Sequence, residues 1–196
     1  MPRIFDLICL LLALPLLLPV AAIVALIVYF NFGSPIFFSQ ERGGYGNLHF
    51  RIYKFRTMTN DRHASGALLP DAQRLTAAGR FLRASSLDEL PSLWNLLKGD
   101  IRLVGPRPFI ADYLSIYSDE QRRRHDVVPG ITGWAQVNGR NELSWEEKFA
   151  LDIWYVENRS FLLDLKILWL TAVNVLSRNG INAQGDATMP RFDGTN

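Results

Sequence analysis

Between Leu7 and Phe30 the chain carries no Asp, Glu, Lys or Arg, and nearly all of these 24 positions are apolar. As a straight helix the run extends ~36 Å at ~1.5 Å per residue. That is enough for a bilayer hydrocarbon core of ~30 Å. A cleavable signal peptide has an apolar stretch of only ~7–15 residues, so the run is read as a retained membrane segment. Pro15 and Pro19 stand four apart, on one helix face. Each lacks an amide, which leaves the carbonyl four residues earlier without its partner. Freed carbonyls are costly in lipid unless a polar group reaches them. Two outcomes remain open from these residues alone: a kinked span, or a re-entrant helix that returns to the side it entered. Only Arg3 precedes the segment, whereas Arg42, Arg51, Lys54, Arg56 and Arg62 follow it, which puts the remainder on the cytoplasmic side.

Composition excludes several classes. At 48% hydrophobic and 20% charged residues, the 196-residue chain is not a disordered tail. Its 21 basic and 19 acidic residues nearly cancel, so charge gives no case for nucleic acid. A single cysteine, Cys9, rules out an intramolecular disulfide and a cysteine-based zinc site. His49, His63 and His125 lack metal-ligand spacing.

Beyond Ser34-Pro35, Ile36 to Gln40 and Leu48 to Arg56 read as strands of a hairpin joined by a glycine-rich loop. The period of two places Leu48, Phe50, Ile52, Lys54 and Arg56 on one face, so Lys54 extends an apolar row. Leu75 to Arg83 and Asp88 to Lys98 read as helices, the second closed by Gly99. Phe109 to Tyr117 has helical apolar spacing, and Pro129 to Gly139 reads as a structured loop. Ser144-x-x-Glu147 is a capping box opening a helix to Glu157, with the stripe Trp145, Phe149, Ile153 and Val156. Phe161 to Leu176 is apolar round most of its circumference, as expected of a helix that is buried or lies on a membrane.

The chemistry concentrates around Asp88 and Glu89, side by side where a helix begins. On the pair alone, helix capping explains it better than catalysis does, since acids suit the positive end of a helix. The neighbours favour chemistry: Arg80 and Arg83 lie upstream, and Arg102 and Arg107 downstream, with Arg107 fixed between two prolines. A rigid Arg suits bidentate phosphate binding, and a helix start receives phosphate oxygens. Adjacent acids cannot flank a glycosidic bond at the ~5–10 Å that glycosidases need. They can serve as nucleophile with a metal ligand, or as nucleophile with a proton handler. On a membrane-anchored chain this points to phosphoryl transfer at the bilayer surface. The rival reading is a non-catalytic lipid-binding module using Arg122-Arg123-Arg124 and the apolar last helix.

Five stretches resemble one family in order: YKFRTM (Tyr53–Met58), LRASSLDELPSLWNLLKGD (Leu82–Asp100), LVGPRP (Leu103–Pro108), HDVVPGITGWAQVNGRN (His125–Asn141) and SFLLDLKI (Ser160–Ile167). The chain resembles the small monotopic phosphoglycosyl transferases of the bacterial sugar transferase family. The resemblance implies an α+β fold with a re-entrant membrane helix over 1–33. Residues 34–196 would form a cytoplasmic catalytic domain with a β-hairpin and interfacial amphipathic helices. It implies transfer of a sugar 1-phosphate from a UDP-sugar to polyprenyl (undecaprenyl) phosphate, with release of UMP, at the cytoplasmic face of the inner membrane. Asp88 would be the nucleophile and a ligand of Mg²⁺, and Glu89 the second essential acid. Lys54, Arg83, Arg107, Arg140, Asp152 and Asp164 fall on motif positions expected to bind substrate. Membrane lipid and a second copy of the chain complete the expected partners; nucleic acid is not among them. The family helix breaks at Ser-Pro, where this chain has Leu18-Pro19 and an additional Pro15.

Overall fold

The computed structural model describes residues 2–139, 142–177 and 191–194. A long helix α1 (Arg3–Phe32) is followed by the antiparallel hairpin β1 (Phe37–Gly43) and β2 (His49–Phe55), with Phe37 opposite Phe55 and Gly43 opposite His49. Helices α2 (Asp71–Arg74) and α3 (Ala77–Ala84) lead to a 3-10 turn, Leu87–Ser92, which runs into α4 (Leu93–Lys98). Strand β3 (Arg102–Val104), a 3-10 turn at Ala111–Ser115 and α5 (Asp119–Arg122) come next. Strand β4 (Gly130–Thr132), α6 (Trp134–Val137), α7 (Trp145–Asn158) and α8 (Phe161–Ser177) complete the order. The expected α+β class is therefore observed, mainly helical with two small sheets.

Helix α1 is apolar beyond its first turns, yet only 11% of its most apolar window is buried. What is buried lies towards its two ends. Leu10 packs with Leu96 and Ile101, while Val24 and Val28 pack with Phe55 and Leu82. Charge fastens the first turns: Arg3 Nη2 donates to the Leu97 carbonyl at 2.8 Å, and Arg102 Nη1 lies 2.9 Å from Asp6 Oδ2. At the other end Arg56 Nη2 donates to the Gly33 carbonyl at 2.9 Å. Asp6, fully buried, lies one residue before the uncharged run and gains its meaning only from the distant Arg102.

Three expectations are corrected. The helix expected from Asp88 to Lys98 opens as a 3-10 turn, Leu87–Ser92, with Pro91, which has no amide to donate, inside it. The Ser92 hydroxyl instead bonds back to the Glu89 carbonyl at 2.7 Å. The segment from Phe109 to Tyr117 holds a 3-10 turn at Ala111–Ser115 rather than an α-helix, although Tyr113 and Tyr117 do share an aromatic core with Trp145, Phe149 and Phe192. The loop Pro129–Gly139 hides β4, which pairs in parallel with β3. Glycine makes that pairing possible: a Cβ on Gly130 would collide with the Gly105 amide nitrogen. The capping box at Ser144 forms as expected, with the Glu147 amide bonded to Ser144 Oγ at 3.2 Å. On α8, Ile167 is fully buried, whereas Leu162 and Trp169 face outward at 77% and 70% exposure.

Candidate active site

Two short elements deliver the reactive groups. On β2, alternation turns Ile52 and Lys54 into a small polar pocket and turns Tyr53 and Phe55 to the other side, against α1. The Leu87–Ser92 turn presents Asp88 and Glu89 and follows Ser86, whose φ of 56° is left-handed. That conformation is uncommon outside glycine and gathers at functional sites. Asn95, completely buried, locks the two elements together. Its Oδ1 accepts from the Tyr53 amide at 3.2 Å, and its Nδ2 donates to the Arg51 carbonyl at 2.7 Å and to Asp100 Oδ2 at 2.8 Å.

Glu89 is held by two cations at one oxygen. Lys54 Nζ and Arg107 Nη2 each lie 2.6 Å from Glu89 Oε1. Burial alone would raise the Glu89 carboxyl, but Arg107 and Lys54 override it and hold the group below the usual carboxylate range. The same contact raises the Arg107 guanidinium, chiefly through the Glu89 charge.

Asp88 is the opposite case. It is buried, and no hydrogen bond or ion pair reaches its carboxylate from the described residues. Burial, with the Glu89 charge beside it, pushes its pKa from the ordinary 3.8 up to about 6, against the pull of Lys54, Arg83 and Arg107. The capping reading of Asp88 is not supported: the residue at the cap position is Ser86, and no side-chain cap bond forms there.

The pocket beside Glu89 is lined by Arg42, Lys54, Arg107, Ser92, Ile52 and Ile131 among others. In the sequence Arg42 read only as one of the charges that follow the apolar segment. Its Nη2 donates to Gln40 at 2.6 Å, while burial and the neighbouring Arg107 lower its pKa to about 10. Arg83 lies near enough to act on Asp88 and donates through Nε to Thr57 Oγ1 at 3.0 Å. Four cations thus surround two carboxylates, leaving a net positive site suited to a dianionic phosphate ligand.

The remaining expected residues go elsewhere. Asp152 is buried against Arg124, with Arg124 Nη2 2.7 Å from Asp152 Oδ2. Asp164 is buried and accepts from the Tyr155 hydroxyl at 2.7 Å, joining α7 to α8. Neither lines the pocket. Arg140 lies outside the described residues. The Arg122-Arg123-Arg124 run is no free basic patch: Arg123 pairs with Glu157 at 2.7 Å, and Arg124 is buried. Asn95 carried only one signal in the sequence, an amide within an otherwise apolar helix stretch, while Arg42 read only as a charge after the apolar segment and Arg124 only as part of a lipid-binding run.

Residues 1–178 match the family described as bacterial sugar transferase. The uncharacterized sugar transferase EpsL of Bacillus subtilis (strain 168) is 57% identical over 169 residues, which cover 86% of this chain and 84% of the relative. The exopolysaccharide production protein ExoY of Sinorhizobium fredii is 35% identical over 195 residues, covering 91% and 86%. The undecaprenyl-phosphate galactose phosphotransferase of Salmonella typhimurium is 38% identical over 195 residues, covering 91% of this chain but only 41% of that longer protein. With the family match running from the membrane helix through the acid pair to α8, the chain belongs to the bacterial sugar transferase family.

Proposed function

We propose that the protein moves a sugar 1-phosphate from a UDP-sugar to membrane polyprenyl phosphate, releasing UMP, as the initiating step of glycoconjugate assembly. One observation carries the reading: of two adjacent carboxylates, Glu89 is pinned by Lys54 and Arg107, while among the described residues none pairs with the buried carboxylate of Asp88. Glu89 organises the cations, and Asp88 is free to attack. An Asp88 oxygen forms a bond to the sugar-bearing phosphorus, and the bond from that phosphorus to the UMP oxygen breaks, its electron pair leaving with UMP. A phosphate oxygen of the polyprenyl acceptor then attacks the same phosphorus and returns the Asp88 carboxylate. Lys54, Arg107, Arg83 and Arg42 stabilise the charge that leaves with UMP. Mg²⁺ belongs to the proposal. Among the described residues no group of three metal-ligating side chains exists, so Asp88 would hold the ion together with diphosphate oxygens, as Mg²⁺ prefers. When bound, it would neutralise diphosphate charge.

The membrane side of the reading rests on α1. A straight helix of 30 residues is ~45 Å long, yet both its ends touch the same domain. A helix crossing a ~30 Å core would carry its first turns away from Arg102 and Leu97, so these contacts favour a re-entrant helix. An open apolar groove of about 610 Å³ lies between α1 and the elements of the site, lined by Leu14, Ala21, Phe55, Leu90 and Trp94. It offers a hydrocarbon-tailed acceptor a path that reaches Leu90, two residues along the turn from Asp88. The test is intact-mass spectrometry after brief mixing with Mg²⁺ and each of a panel of UDP-sugars. A phosphosugar adduct on the peptide containing Asp88 is expected from the accepted sugar. Turnover with sequential kinetics and no adduct would overturn the covalent step.

A further inference from the structure

Arg107 carries the fork that meets Glu89, yet it sits in a turn that cannot hold itself. Pro106 and Pro108 have no amide hydrogens, so the turn must be fixed through its carbonyls by donors from elsewhere. Those donors are present. The Gly130 amide donates to the Pro106 carbonyl at 3.0 Å, and the Gly43 amide to the Phe109 carbonyl at 3.1 Å. The Arg107 carbonyl itself takes its hydrogen bond from Arg124 Nη2 at 2.6 Å.

Arg124 is in turn over-determined. It is 2% exposed, and Asp152, at 1%, accepts from its Nε at 3.1 Å and from its Nη2 at 2.7 Å. The guanidinium also lies over the Phe109 ring, 4.1 Å from its centroid. A core pair meant only to hold α7 in place needs no third bond to the backbone of a site residue. We propose that Arg124, set by Asp152, is a positioning residue: it fixes the Arg107 carbonyl and thereby aims the Arg107 fork at Glu89 and at the substrate diphosphate. The inference rests on the function proposed above.

A double-mutant cycle separates positioning from simple structural support. Replacing the ion pair by apolar residues, Arg124→Met with Asp152→Leu, is the change such pairs tolerate best. Its kcat/KM for UMP release should fall ~100-fold while its melting temperature stays near the wild type, because a misplacement of about 1 Å costs that much. In an Arg107→Met background, measured under single turnover, the same pair change should cost less than ~3-fold, since nothing is left to aim. A full ~100-fold loss in that background as well would overturn the proposal. Should the apolar pair fail to fold, Arg124→Lys enters the same cycle, with the same two outcomes. A crystal structure of the pair variant gives a readout independent of activity. Arg107 Nη2 should have left Glu89 while Lys54 remains; an unmoved Arg107 would refute positioning. That readout stands even if no UDP-sugar yields UMP with the wild type, the result that would instead sink the proposed function.

Discussion

Asp88→Asn should make the protein more stable while removing its activity. The Asp88 carboxyl is raised from 3.8 to about 6, first by burial and then by Glu89. A carboxyl whose folded pKa is raised holds its proton more tightly in the folded state. Its ionised form is therefore a penalty on the fold, fully present above the folded value and gone below the unfolded one. A displacement of about two units corresponds to about 3 kcal/mol at neutral pH. At about 2–4 °C per kcal/mol for a chain of this size, Asn at this position should raise Tm by about 6–12 °C at pH 7.5. The gain should shrink as pH falls through 6 and nearly vanish by 4, where the wild-type acid is protonated as well. Thermal scans of detergent-solubilised wild type and variant across that pH range measure it, alongside UMP release, which should be lost at every pH. A helix-capping Asp would give no such gain, since Asn caps as well as Asp. An unchanged or lowered Tm at pH 7.5, or a gain that persists at pH 4, would refute the reasoning.

If ionised Asp88 is the attacking group, kcat/KM should rise with pH on a limb centred at about 6. A profile flat between pH 5 and 8 would count against it. Arg107→Lys should cost at least ~10-fold in kcat/KM, because a point charge cannot replace a fork that serves Glu89 and phosphate together. Lys54→Met should cut turnover by ~100-fold or more and lower stability by about 1–3 kcal/mol, since Glu89 keeps only Arg107; near-normal turnover would return Lys54 to a packing role. A cysteine introduced as Pro2→Cys, with Cys9→Ser, should resist an impermeant thiol reagent applied to intact cells. Labelling from outside would establish a span instead.

How much of this could be read in advance depended on how local the cause was. The membrane helix, the hairpin and the capped α7 announce themselves within a few turns of sequence, because hydropathy, glycine placement and capping are short-range. Lys54 was legible for the same reason, as a cation on an apolar strand face. The strand β4 was not: three residues within a glycine-rich run carry no pattern, and its partner β3 lies 28 positions away. Asn95 and Arg124 act on residues 42 and 17 positions distant, so their roles exist only once the chain is folded. Asp152 and Arg107 were both noted as charged motif positions, yet one is sealed in the core and the other opens onto the pocket. Sequence position cannot separate these two fates; burial does.

The arrangement also explains how a small domain keeps charged chemistry against a membrane helix. Neighbouring residues on the same element are assigned to opposite sides. On β2, Ile52 and Lys54 face the polar pocket, while Tyr53 and Phe55 face the apolar groove under α1. On the turn and helix that follow Asp88, Glu89 and Ser92 face the pocket, while Leu90, Pro91, Leu93 and Trp94 face the groove. The polar pocket beside Glu89 and the apolar groove are therefore separated by the thickness of one strand or one turn. An acceptor with its phosphate at Asp88 could leave its hydrocarbon chain among α1 side chains without crossing a polar layer. In the other direction, burial is what lifts the Asp88 carboxyl, and ion pairing with Lys54 and Arg107 is what keeps Glu89 charged beside it. One strand and one turn thus serve two surroundings, with Ile52, Lys54, Glu89 and Ser92 given to the polar pocket and Tyr53, Phe55, Leu90, Pro91, Leu93 and Trp94 to the apolar groove.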